Sequence, residues 1–271
     1  MSAWSAHSPQ AILFDLDDTL LAFDQGADFR NLWRMACEPF SQEFGDLRVE
    51  SLVSSIQAKG KWYWSDPQRH LWGRLHMTAA RRTVVETALQ ELGLTGGPLA
   101  DKIAARYWTE RERRFRLFPG ALETLKHLKQ LGIKMALLTN GEAQMQRAKI
   151  ERFDLAPWFD AILIEGEFGI GKPDERIYRH ALAELQVDPQ FTWMVGDNLE
   201  WEVLAPQRLG IRGIWLNHRG ADLAGLSDVV HEHENQPEHE NKHDQPFRII
   251  HNVIELLDLI EYTGVEVDTG K

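Results

Sequence analysis

Short apolar runs that end in polar residues recur along this chain: Ala11–Asp17 (AILFDLD), Lys134–Asn140 (KMALLTN), Asp160–Gly166 (DAILIEG), Thr192–Asn198 (TWMVGDN) and Gly210–Asn217 (GIRGIWLN). Each is too short for a helix on its own and rich in Ile, Leu, Val or Trp, the composition of strands buried on both faces. Between them the spacing turns helical. Leu122, Leu125 and Leu128 repeat at three within Ala121–Leu131, and Ile177, Ala181, Leu182 and Leu185 share one side of Asp174–Val187. Helix alternating with strand from residue 119 to 217 predicts an α/β, doubly wound, Rossmann-like core on a parallel sheet.

The interval 22–116 has another pattern. It lacks a comparable strand run and carries Trp33, Trp62, Trp64, Trp72 and Trp108 among amphipathic, Arg-rich segments. Ala79–Leu92 and Ala100–Phe115 read as helices, with Gly96-Gly97-Pro98 as the breaker between them. The expected organisation is therefore a discontinuous core, residues 1–21 and 117–271, with residues 22–116 inserted as an all-helical domain. Trp33, Trp72 and Trp108 are expected to pack that insertion. Trp62-Tyr63-Trp64 is a candidate for lining a substrate entry, since consecutive aromatics cannot all face one core. Residues 231–246 (HEHENQPEHENKHDQP) hold no aliphatic or aromatic side chain, so a mobile loop within the core is expected there. Its His231-x-His233 is too weak a pattern for a metal site. Ile249–Ile260 then reads as a terminal helix.

Charge narrows the partners. The 271 residues include 41 acidic and 30 basic side chains, a formal charge of −11. The insertion is +3 and the remainder −14. Such a balance argues against nucleic acid or an anionic membrane as the main partner, since those contacts need an excess of Lys and Arg. The lone Cys37 forms no intramolecular disulfide and reads as a buried structural thiol. No secretory signal and no membrane-length apolar run is evident, so a cytoplasmic protein is expected.

In an open α/β sheet, ligands bind outside the carboxyl ends of the strands. Asp15, Asp17, Asp18 and Thr19 follow the first run, Thr139 and Asn140 close the second, Lys172 lies in a Gly-rich loop after the third, and Asp197 and Asn198 close the fourth. An aspartate after a strand can simply cap a turn, and a lone lysine is usually solvated. Carboxylates, a hydroxyl, an amide and one ammonium brought together suit a divalent cation plus a phosphoryl group.

D-L-D-D-T at Asp15–Thr19, L-L-T-N ending at Asn140, G-K-P at Gly171–Pro173 and V-G-D at Val195–Asp197 resemble, in order, the four motifs of the haloacid dehalogenase-like (HAD) hydrolase superfamily. The position of the insertion resembles the phosphatase branch with a helical cap after the first motif. The resemblance implies a nucleophile at Asp15, a general acid–base at Asp17, phosphate contacts from Thr139, Asn140 and Lys172, and Mg²⁺ held by Asp15, the Asp17 backbone carbonyl and Asp197. It implies a small phosphorylated metabolite as substrate, a nucleoside monophosphate or a sugar phosphate among the candidates. One departure stands out: the family's fourth motif usually continues to a second acid, most often Asp, where this chain has Glu202. Glu202 could reach the metal through water or pair with Lys172, and Asn198 could share the task. A phosphomutase, a 2-haloacid dehalogenase or a catalytically silent binding protein are the alternatives within this resemblance.

Overall fold

The computed structural model describes residues 8–23, 28–218, 220 and 245–264. Strand β1 (Ala11–Phe14) and the short β2 (Leu21–Ala22) come first. Helices α1 (Phe29–Cys37), α2 (Val49–Trp64), α3 (Pro67–Leu75), α4 (Met77–Glu91) and α5 (Pro98–Glu112) follow. After β3 (Arg116–Leu117), helix and strand alternate: α6 (Ala121–Gln130), β4 (Lys134–Thr139), α7 (Ala143–Arg152), β5 (Ala161–Ile164), α8 (Glu165–Phe168), α9 (Glu175–Leu185) and β6 (Thr192–Gly196). A π-helical segment, Leu199–Leu204, runs into α10 (Ala205–Gln207), followed by β7 (Arg212–Leu216), β8 (Arg248–Ile250) and α11 (Glu255–Gly264).

The chain divides into two compact units. One holds the described residues up to Ala22, Leu117–Thr139 and those from Arg147 onward; the other holds Phe23–Arg116 and Asn140–Gln146. The division differs from the sequence boundaries in one respect of consequence: the residues just after β4 group with the helical unit.

In the first unit six strands form a sheet in the order β5-β4-β1-β6-β7-β8, every pair parallel. β1 lies inside the sheet, and its AILF side chains are buried on both faces, as a continuous apolar run requires. Leu13, Ala136, Leu138 and Met194 from three strands pack against Ile177, Tyr178, Ala181 and Leu182 of α9. Full burial of one such aliphatic side chain contributes roughly 1.5–3 kcal/mol. Asp174 begins α9 by accepting a hydrogen bond from the Arg176 amide at 3.0 Å.

Two expectations need correction here. Ile249–Ile260 is not one helix: Arg248–Ile250 forms β8, with Ile249 opposite Trp215 and Ile250 opposite Leu216. The helix starts at Glu255. The ladder hydrogen bonds offered by β7 recruit the paired isoleucines, whose β-branched side chains suit a strand. Phe247 is pinned as it enters β8, its amide donating to Gly213 O and to Gln207 Oε1. The other correction concerns Trp72, which is half exposed and stacks on His76 with ring centroids 4.4 Å apart, outside the helical core. Of the predicted loop 231–246, residues 231–244 lie outside the described residues.

The helical unit has its own core. Leu32, Trp33, Leu52, Ile56, Val85, Leu89, Ile103 and Tyr107 are buried together. Trp33 stacks on Tyr107 at 3.7 Å, which joins α1 to α5. Cys37 is fully buried there, and burial pushes its thiol up to about 12. Of the Trp62-Tyr63-Trp64 triplet, Tyr63 is buried, Trp64 packs partly against this core and Trp62 is exposed under the guanidinium of Arg69, 4.2 Å from its ring. Among the described residues no helix is long and apolar enough to cross a membrane.

Candidate active site

Strand register alone brings the motif residues of the sheet unit together. Phe14 pairs with Leu137 of β4 and Val195 of β6. One residue further, β1 delivers Asp15 between Leu138 and Gly196, so Thr139 and Asp197 each lie a step beyond it. The Asp15 amide donates to Val195 O at 3.0 Å, holding this geometry past the end of β1. Thr139 is buried at the last position of β4. Asn140, next in sequence, groups with the other unit.

Lys172 is 1% exposed. Its Nζ lies 2.6 Å from Asp15 Oδ1 and 2.8 Å from Glu202 Oε1. Glu202 Oε2 accepts a hydrogen bond from the Asn198 amide at 2.7 Å. Pairing with Lys172 is thus the task the geometry gives to Glu202. Two local features put it there. The π-helical segment Leu199–Leu204 widens the turn after β6, and Asn198 Oδ1 caps it by accepting from the Trp201 amide at 3.0 Å. Gly196 leaves the space: a Cβ there would stand 2.1 Å from Glu202 Cγ. Any side chain at 196 would push Glu202 away from the lysine.

Asp17 faces a different cation. Lys149 Nζ, from α7, lies 2.9 Å from Asp17 Oδ1 and 2.7 Å from Oδ2. Asp18 takes a left-handed backbone, φ 58°, with its amide donating to Leu21 O at 2.7 Å. The Asp18 carbonyl lies 3.0 Å from His218 Nε2, and the His218 ring stacks on Phe118 at 4.2 Å. These contacts fix the loop that carries Asp17. The Asp197 carbonyl accepts from Trp215 Nε1 at 2.8 Å, which anchors the end of β6 to β7.

Sequence reasoning missed Lys149 and His218. A lysine midway along a helix is normally solvated, and the sequence alone did not single this one out. Gln146, Lys149 and Ile150 fall on one helical face, and all three are buried. His218 follows the last residues of the β7 run with no pattern to set it apart.

The electrostatics are unbalanced. Burial pushes the Asp15 carboxyl above its usual range, with Lys172 opposing and Asp17 reinforcing the rise. Glu202 is pushed up to about 7 by burial, against the pull of Lys172. Asp197 is raised as well, first by desolvation of its carboxylate and then by the carboxylates of Asp15, Glu202 and Asp18, with Lys172 opposing. Burial alone would lower the Lys172 ammonium, but Asp15 and Glu202 hold it above its ordinary value. Three carboxylates around one ammonium leave a local excess of negative charge.

That excess is what a divalent cation would relieve. Asp15 Oδ2 is buried and makes no hydrogen bond among the described residues, so the site retains a carboxylate oxygen able to meet a cation. Among the described residues no three His, Cys, Asp or Glu side chains are gathered closely enough to hold a metal by themselves. A set of two carboxylates plus a backbone carbonyl, completed by water, is the kind of oxygen set that Mg²⁺ accepts. The Asp17 carboxylate is held by Lys149.

Comparison with known proteins decides the family. A model described as haloacid dehalogenase-like hydrolase matches residues 9–210, and a second HAD-hydrolase-like model matches residues 169–256. The chain belongs to the haloacid dehalogenase-like hydrolase family. This HAD-like hydrolase is 34% identical over 227 residues to the phosphoserine phosphatase of Thermus thermophilus, covering 76% of this chain and 88% of that one. It is 29% identical over 225 residues to the N-acylneuraminate-9-phosphatase of Rattus norvegicus, covering 82% and 88%. A solved 2-haloacid dehalogenase from Pseudomonas syringae pv. Tomato DC3000 superposes with a TM-score of 0.61 at 25% identity, over 93% of this chain and 98% of that one. The six-stranded parallel sheet is the Rossmann-like core of these hydrolases.

Proposed function

We propose that this HAD-like hydrolase is a Mg²⁺-dependent phosphatase that hydrolyses a small phosphorylated metabolite through an aspartyl-phosphate on Asp15. The observation that carries this reading is the state of Asp15. Lys172 holds Oδ1 at 2.6 Å, while Oδ2 is buried without a hydrogen bond among the described residues. A carboxylate steadied at one oxygen keeps the other for in-line attack on phosphorus, which splits one hard hydrolysis into two easier steps. Asp17 protonates the leaving alkoxide, then takes a proton from the water that attacks the aspartyl-phosphate. Thr139, with Asn140 beside it, would hold phosphoryl oxygens, and Lys172 offsets the charge of nucleophile and phosphate. Asp15, the Asp17 carbonyl and Asp197 would hold Mg²⁺, which would neutralise charge on the phosphoryl group. Glu202 orients Lys172, and Asn198 supports Glu202. The helical insertion, residues 22–116, would act as the cap.

The phosphoserine, sugar-acid and nucleotide phosphatases among the relatives support a soluble phosphomonoester as substrate class. The test is hydrolysis of 4-nitrophenyl phosphate and of a panel of phosphoserine, sugar phosphates and nucleoside monophosphates, with and without EDTA. Wild-type turnover should need the metal. Asp15→Asn should lose at least about a thousand-fold in kcat, the scale on which nucleophile removal acts. Metal-independent turnover, or full activity of Asp15→Asn, would overturn the mechanism. Halide release from 2-chloropropionate would favour the dehalogenase instead, and return of the phosphate to a second position of the substrate would favour a mutase.

A further inference from the structure

Two carboxylates of the first motif, two residues apart, each have a lysine of their own. Asp15 is held by Lys172, which the motif pattern marks. Asp17 is held by Lys149, which nothing in the motifs marks. The Lys149 side chain is 5% exposed, against 24% for Asp17, and its ammonium reaches both carboxylate oxygens. Placing an ammonium at so buried a position is costly, and the contact it makes must compensate.

The geometry of the contact suggests its purpose. Asp17 stands on a loop beyond the sheet, next to a residue in a left-handed conformation. Its carboxylate turns about two side-chain bonds. Contact from one ammonium to both oxygens restricts both torsions, and charge-assisted hydrogen bonds in a desolvated place are strong enough to do so. The base of the contact is rigid, since Lys149 is embedded in α7 beside the buried Ile150.

We propose that Lys149 is a positioning residue for acid–base catalysis by Asp17, fixing the direction in which its carboxyl presents the proton. The inference rests on the reading of Asp17 as the acid–base group of a phosphatase. In the first step the Asp15–phosphorus bond forms, the bond from phosphorus to the ester oxygen breaks, and the Asp17 proton passes to that oxygen. In the second, water oxygen bonds to phosphorus, the Asp15–phosphorus bond breaks, and the water proton passes to Asp17. While Asp17 carries its proton on one oxygen, Lys149 keeps hold of the other.

The readout is leaving-group dependence in kcat/KM, which covers events only through formation of the aspartyl-phosphate. A 4-nitrophenolate leaves without a proton; an alkoxide needs one. Lys149→Met and the milder Lys149→Gln should therefore lower kcat/KM at least about 30-fold for the alkyl phosphate that the wild type turns over best, somewhat less than the roughly 10²–10⁴-fold a general acid supplies, because the acid itself remains. The loss on 4-nitrophenyl phosphate should stay below about 3-fold, because a good leaving group gains little from a proton donor. Lys149→Arg should recover part of the alkyl-ester loss, and Lys149→Gln should add nothing in an Asp17→Asn background. Equal losses on both esters, or additive loss in the double variant, would overturn the inference and leave the phosphatase reading standing. A variant too unstable to purify would assign Lys149 to the fold and overturn it too. If the wild type hydrolyses only the aryl ester, there is no acid catalysis to position and the inference falls alone. If it hydrolyses neither, both fall.

Discussion

Each unit buries one charged side chain at the centre of an ionic cluster, and the two clusters are opposites. In the helical unit Glu110, 5% exposed, faces three guanidinium groups: Arg106 at 2.8 Å, Arg113 at 3.2 Å and Arg114 at 3.5 Å. Those arginines are 43%, 64% and 43% exposed, so water shares their charge. In the sheet unit the ammonium of Lys172 is buried between Asp15 and Glu202, which are themselves buried, and Asp197 adds to the negative field. The first cluster has counter-ions to spare and solvent behind them. The second is short of cations, and its central ammonium and the two carboxylates touching it are buried. A structural ion pair has no reason to be left in deficit, because buried carboxylates without compensation destabilise the fold. A site that takes up a cation and a phosphoryl group, as proposed above, would have one.

The largest effect should come from removing the centre of the deficient cluster. Lys172→Met leaves Asp15 and Glu202 buried and facing each other, and the expected cost is about 3–5 kcal/mol, the range for breaking a buried pair by deleting one partner. Denaturant unfolding measures this directly. Because the two carboxylates can escape repulsion by taking up a proton, the cost should shrink as pH falls from 8 to 5. A variant that is uniformly destabilised at all pH values would mean that packing around the long side chain, and not charge, is what Lys172 supplies.

How much of this contrast could be read from the sequence depends on what each element needs. The strands β1, β4, β5, β6 and β7 were legible because burial on both faces forces continuous apolar runs, and a strand end in a parallel sheet places Asp15, Thr139 and Asp197 at one edge. β8 was not legible. Its three residues join directly to an apolar stretch with helical spacing, and only the open ladder of β7 distinguishes the two. Glu202 was visible as a position but not as a contact: two roles fitted its spacing, and the closeness of Gly196 to Glu202 selects the contact with Lys172. Lys149 was hidden for a general reason. A chain records which residues are charged, but it does not record which charged residue of a helix turns inward when the buried face happens to hold a carboxylate from 132 residues away.

A smaller effect should appear in the pH dependence of the metal-free protein. The Glu202 carboxyl is raised from 4.5 to about 7 in the folded state. An acid whose folded pKa is raised binds more protons in the folded than in the unfolded chain between those two values, so stability falls as pH rises through that window and is level above it. Thermal unfolding in EDTA should therefore show Tm dropping from pH 5 to pH 7. Glu202→Gln removes the titrating group, and the drop should become shallower by on the order of 5 °C. Added Mg²⁺ should raise the wild-type Tm most at the upper end of the range, where the carboxylates are all ionised. An identical slope in Glu202→Gln would place the origin of the pH dependence elsewhere.

The mildest variant bears most directly on the comparison. Glu110→Gln keeps the volume and the reach of the side chain and removes only the charge, leaving three arginines without a carboxylate. If burial of the central residue governed the energetics, this change should hurt as much as Lys172→Met, since both centres are almost fully covered. If counter-ion supply and solvent access govern them, it should not. The arginines are already half in water, can rehydrate where they stand, and are screened by salt; the expected cost is about 1 kcal/mol, the upper end for solvent-exposed pairs. Tm should then fall by roughly 2–4 °C, with kcat/KM on any phosphate ester unchanged. A loss as large as that of Lys172→Met would show that the two clusters are alike after all, and that a deficit of cations is no mark of a functional site in this chain.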